Sequence, residues 1–167
     1  ERRQAALLAT ARQAVDLLAK TRREEGARLQ TVLETRLGEF DALTAEADPA
    51  AAAQPEAIKA RLKAQLTALL EAIPALSEER LAQEAALLAA KADLREELDR
   101  LKAHVTASRE LVIAGGAVGR RFDFLCQELN REANTLCSKS SDIALTRVGL
   151  GLKAAIEQLR EQVQNIE

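Results

Sequence analysis

From Glu1 to about Ala47 the chain contains no proline, and its apolar residues recur at helical spacing: Leu8, Val15, Leu18, Leu29, Val32, Leu33, Leu37, Phe40 and Leu43. That period predicts one long helix with an apolar stripe along one side. At 1.5 Å per residue such a helix is about 70 Å long. It exceeds the diameter of a small domain, so part of the arm is expected to pack on another helix or another subunit. The opposite face, with Arg22, Arg23, Glu24 and Glu25, reads as solvated surface.

Composition closes off the alternatives to helix. Of 167 residues three are aromatic, all Phe, and β-branched residues are sparse. Strands draw on those residue types, so a β-rich core is excluded in favour of an all-α fold. A 47% hydrophobic and 30% charged chain is not disordered. The formal net charge of −2 advertises no polyanion partner, so nucleic-acid contact would need a local basic patch. Cys126 and Cys137 show neither metal-ligand spacing nor a disulfide framework, which fits a reduced, cytoplasmic setting. No apolar run reaches the ~20 residues of a membrane span, and no signal peptide or lipidation motif is visible. The sequence begins at Glu1 and holds no Met, so a further N-terminal segment is expected.

Beyond Ala47, DPAAAAQPE (48–56) reads as a linker or hinge, because Pro49 and Pro55 interrupt a helix. A second helix is expected through Ile58, Leu62, Leu66, Leu69 and Ile73, ending at Pro74. Ser77 is a good N-cap for the next, to about Ala90. Asp93 with Glu96 three residues on resembles a capping box opening another helix, with Leu94, Leu98, Leu101 and Val105 inward. AGGAVG (114–119) is the glycine turn before a helix over about Arg121–Leu136; it lacks a P-loop lysine. SKSSD (138–142) separates that helix from the last one, which starts near Ile143. The architecture predicted is an elongated helical bundle in which residues 1–76 form an arm or hairpin and 77–167 a C-terminal helical domain.

Chemistry concentrates on two of these helices. On a wheel at 100° per residue, Phe122, Leu125, Leu129, Ala133 and Leu136 form the buried stripe of the 121–136 helix. Asp123, Gln127, Asn130 and Asn134 cluster opposite, where amides could read base edges or hold a sugar-phosphate. They could equally bond to a neighbouring helix or subunit. Glu128, Glu132 and Arg121 flank the stripe; Arg120 and Arg131 share a further sector with Phe124. Upstream, Glu97, Arg100 and His104 fall at i, i+3 and i+7 beside an apolar stripe, and His104 is the chain's one histidine. If the two helices are antiparallel neighbours across the glycine turn, Glu97 and His104 could share a divalent cation with Glu128 and Glu132. A lone histidine in such a place is also an ordinary structural residue. Lys139 beside the cap of the last helix could seat a phosphate or simply end a helix.

GRRFDFLCQELNREANTLCSKSSD, with LKAAIEQLREQVQNIE after it and EERLAQEAALLAAKADLREELDRLKAH before it, resembles the C-terminal signature of the YicC-like (YicC/YloC) family. Cys137 departs from the small residue expected at its position. The resemblance implies a bacterial cytoplasmic endoribonuclease acting on single-stranded RNA with a divalent metal (Mg or Mn), assembled as a ring-like hexamer. It also implies an N-terminal domain not contained in this sequence. Carried onto this chain, the acidic and histidine positions, catalytic or metal-binding, are Glu97, His104, Glu128 and Glu132. The RNA-binding positions are Arg100, Arg120, Arg121, Asp123, Gln127, Asn130, Arg131, Asn134 and Lys139. Two other readings remain open from the residues: a helical oligomerisation module, and an RNA clamp that does not cut.

Overall fold

The structure is a computed structural model that describes residues 2–72, 77–164 and 166. Among the described residues there are five helices and no strand: α1 (Arg2–Ala72), α2 (Glu78–Lys91), α3 (Arg95–Ala114), α4 (Gly119–Lys139) and α5 (Ile143–Val163). The all-α expectation and the long N-terminal arm are both met.

The expected break at 48–56 is not there. α1 runs through Pro49 and Pro55 as one 71-residue helix, about 107 Å long. A proline in a helix interior costs on the order of 3 kcal/mol, so something must outweigh it. Between and around the prolines lie alanines, the strongest helix formers. A stripe of Ala47, Ala51, Gln54 and Ile58 is also buried across both of them. Tertiary packing keeps helical what local propensity would interrupt. Ile73 and Pro74, the expected end of this segment, lie outside the described residues.

Ser77 caps α2 as expected, its Oγ accepting from the Arg80 amide at 3.4 Å. The capping box at Asp93 does not form. α3 starts at Arg95, and Leu94 at its N-cap makes no side-chain cap bond. Asp93 Oδ1 instead accepts from the Arg95 amide at 3.0 Å, and its carboxylate pairs with the Arg95 guanidinium at 2.8 Å. Those bonds to Arg95 hold the Asp93 carboxyl down at about 2. Glu96, the would-be second half of the box, turns to Arg100. The turn into α4 needs positive φ at two successive positions, 63° and 77°, and Gly115 and Gly116 supply them.

Four helices make the core. α1 pairs with α3 through Asp48–Lys102 and Asp41–Arg109, and with α5 through Glu46–Arg147. Leu43 of α1 also lies against Gly151 of α5, so in each case the numbers rise on one helix as they fall on the other and the neighbours are antiparallel. α4 lies antiparallel to α3 and α5 in the same way, which closes a square of α1, α3, α4 and α5. Leu37 and Phe40 of α1, Leu101 of α3, Phe122 and Leu129 of α4, and Leu152 and Leu159 of α5 are fully buried inside it. Each such side chain contributes about 1.5–3 kcal/mol relative to exposure. Gly149 of α5 is buried against α4, where a Cβ would collide with Cys137 Sγ. A Cβ on Gly151 would press less severely on Leu43 Cδ2 of α1, at 3.2 Å.

Both ends of α1 extend beyond the square. Residues 2–28 are exposed throughout, a span of about 40 Å that carries Leu7, Leu8, Val15 and Leu18 on its surface. At the other end α2 folds back along α1 as a hairpin. No helix among the described residues is long and apolar enough to cross a membrane.

Candidate functional site

α3 and α4 face each other along their full length because the glycine turn between them is short. Three side chains of α3, spaced at i, i+3 and i+7, therefore meet three of α4 in reverse order. At one end the Lys139 ammonium donates to Glu97 Oε1 at 2.7 Å and to the Asp93 carbonyl at 3.3 Å. Next, Arg100 reaches Glu132 Oε1 at 3.4 Å. One turn further, His104, Glu128 and Glu132 each present a ligand atom, all lying within 4.8 Å of one another.

Burial grades this cluster. The Glu132 side chain is 4% exposed and the Glu128 side chain 27%; His104 is half-buried. A buried carboxylate must be paired or hold a cation. Arg100 satisfies part of Glu132, and the neighbouring carboxylates of Glu96 and Glu132 raise the Arg100 guanidinium above its ordinary value. Below His104, Ser108 is fully buried and its hydroxyl donates to the His104 carbonyl at 2.8 Å.

Two carboxylates and one imidazole converging this closely fit a divalent cation. The mixed oxygen and nitrogen donor set suits Mn²⁺ better than Mg²⁺, which prefers an all-oxygen shell. Glu97 is not among the converging ligand atoms. It is bound to Lys139, and its Oε2 is buried with no hydrogen-bond partner. Lys139, in turn, is occupied by Glu97 and Asp93.

The amides of α4 lie on its other edge. Gln127, Asn130 and Asn134 are exposed, and their side-chain hydrogen bonds among the described residues run along their own helix. Gln127 Nε2 donates to Asp123 Oδ2 at 2.8 Å, and Asn134 Nδ2 to Asn130 Oδ1 at 3.4 Å. Asp123 also pairs with Arg160 of α5 at 3.5 Å. A groove of about 330 Å³ between α4 and α5 is lined by Gln127, Asn130, Lys153, Glu157 and Arg160. Amides and acidic cluster are thus separated by roughly 150° around α4 at 100° per residue. They form two surfaces, not one pocket. Arg131 pairs with Glu128 at 3.8 Å, while Arg120 and Arg121 are exposed at the start of α4.

Sequence reasoning passed over Lys153 and Arg160, although a wheel drawn for the last helix puts both on one edge of its apolar stripe; that this edge faces α4 comes from the packing. It also gave no role to Ser108, whose burial depends on contacts between helices.

A square helical bundle with an acid–histidine seam defines a class before it defines a protein. The profile described as "Endoribonuclease YicC-like, C-terminal" matches residues 47–167. The chain belongs to that family through its C-terminal region. It is 41% identical over 146 residues to a Haemophilus influenzae protein named "Probable endoribonuclease YicC", covering 87% of this chain and 50% of that protein. It is 36% identical over 150 residues to the protein of the same name from Clostridioides difficile, covering 90% of this chain and 51% of that one. The chain spans about half the length of these relatives.

Proposed function

We propose that the full-length protein is an endoribonuclease that cuts single-stranded RNA at the α3–α4 seam, with a divalent cation held by His104, Glu128 and Glu132. The observation that carries this is the convergence of those three ligand atoms within 4.8 Å. The names of the relatives agree with it. When bound, the cation polarises a phosphoryl oxygen and lowers the pKa of water at the site.

The chain's own residues divide the remaining work. Glu132, buried and steadied by Arg100, fixes the inner wall of the site. Glu128 is the more exposed of the two carboxylates, so its second oxygen, the one not given to the cation, is the group placed to take the proton of an attacking water or RNA 2′-hydroxyl. Arg120, Arg121 and Arg131 hold phosphates. The Glu97–Lys139 pair braces the end of the seam and does not touch RNA. Asn130, Asn134 and Gln127 contact sugar or base on a different stretch of the strand, since they lie on the far edge of α4. Assembly of copies into a ring, the hexamer of the resemblance, and a cytoplasmic setting belong to the same reading.

The test is cleavage of a single-stranded RNA by the full-length protein with Mn²⁺ or Mg²⁺. His104→Ala and Glu128→Gln should each slow cutting by about 10²-fold or more, and chelation should stop it. Undiminished cutting by both variants contradicts the assignment. A second reading, a non-cutting oligomerisation module, draws on the exposed leucines of residues 2–28; it requires assembly without cleavage.

A further inference from the structure

Two of the chain's three phenylalanines, Phe40 and Phe122, are fully buried; the third, Phe124, is 59% exposed. A single exposed apolar residue means nothing by itself. Phe124, however, lies in a groove of about 520 Å³ between α3 and α4, lined also by Leu111, Leu125, Arg120, Arg121 and one carboxylate, Glu110. Arg120 and Arg121 make no ion pair among the described residues. With two guanidinium groups against the single Glu110 carboxylate, the groove keeps a net positive charge beside an aromatic face, which suits an anionic ligand that carries a flat ring.

The groove continues the acidic seam. Phe124 is one helical turn before Glu128, about 6 Å along the axis, and His104 is one turn from Ala107 on the facing helix. Arg120, Arg121, Phe124 and Glu128 share an arc of roughly 100° on α4. A strand whose phosphate lay at His104, Glu128 and Glu132 would bring its neighbouring nucleotide over Phe124.

We infer that Phe124 is a base-stacking residue: the nucleotide adjoining the cleaved phosphate rests its base on the Phe124 ring while Arg120 and Arg121 hold the phosphate beyond it. This rests on the proposed nuclease reading and gives its single-strand preference a physical cause, because a base within a duplex cannot present its face to a ring. Stacking on an aromatic tolerates any base, so the subsite selects single strands without selecting sequence.

The test uses the full-length protein in EDTA, so that binding is read without cutting. The probe is a short oligouridylate with one 2-aminopurine, whose fluorescence falls on stacking. Wild type should quench it. Phe124→Ala should lose the quench and weaken binding by about 5- to 150-fold, and Phe124→Trp should restore both. Arg120→Ala with Arg121→Ala should weaken binding and flatten its salt dependence. Glu24→Gln, on the exposed arm away from the seam, should quench as wild type does, and cleavage by wild type with Mn²⁺ is measured separately, so that failure of the nuclease reading and failure of the stacking role are read apart.

Equal quenching and affinity in wild type and Phe124→Ala overturn the stacking role whatever the cleavage result. So does the absence of any quench with wild type. A Phe124→Ala protein that changes its oligomeric size at unchanged RNA affinity assigns the face to a second copy and also overturns it.

Discussion

Glu128 and Glu132 sit one turn apart on α4, yet one is open to water and the other is nearly sealed. The wheel placed both on the edge of the apolar stripe. What separates them is Arg100, which arrives from α3 to cover Glu132. Pairing between helices decides such things, and it is not written in the periodicity of either one. The same limit applies to Glu97 and Lys139: each was legible as a charged residue at a functional edge, and neither as the other's partner. Cys126 makes the residue-scale prediction. Burial pushes its thiol up to about 11. Native protein at pH 8 should therefore leave Cys126 unmodified by a thiolate-directed alkylating reagent, while unfolded protein reacts, as read by peptide mass spectrometry. The sign for stability follows from a raised folded value. The contribution is fully present below the ordinary thiol value and is lost as pH climbs from there toward about 11. Rapid native labelling of Cys126 would contradict the burial described.

Among the elements, the helices around the seam were readable to within a few residues. The helix expected over about Arg121–Leu136 is Gly119–Lys139, and the last begins at Ile143 as expected. Apolar spacing and the two glycines carried that information. AAAQPE misled because proline and small residues signal a linker when contacts are unknown. Its central glutamine is instead a tie between elements. Gln54 Nε2 donates to the Ala92 carbonyl at 2.7 Å and to the Lys139 carbonyl at 3.2 Å, and its Oε1 accepts from the Ser141 amide at 3.1 Å. One side chain of α1 thus holds the loops at the ends of α2 and α4. Gln54→Ala should cost about 1–3 kcal/mol in chemical unfolding, since those backbone groups lose their partner where water has little access. An unchanged midpoint would show that the loops satisfy themselves.

For the whole molecule, the bundle is a packed middle and the two ends of α1 extend beyond it. The exposed leucines of residues 2–28 contribute nothing to this chain's own core; Leu7 is 70% exposed and Leu18 60%. The arm itself was legible, because a helix of that length cannot bury its stripe within one small domain. Its exposed apolar stripe packs on nothing among the described residues, so no contact within this bundle accounts for it. The nuclease reading does not depend on the arm. It depends on three side chains from two helices meeting across a turn, and that can be measured without RNA. Titration of the full-length protein with Mn²⁺, followed by the loss of the free-ion electron paramagnetic resonance signal, counts bound ions per chain. Wild type should hold one ion per chain more than Glu128→Gln or His104→Ala, or bind it at least about ten-fold more tightly. Identical titrations for wild type and both variants would mean that the seam holds no cation.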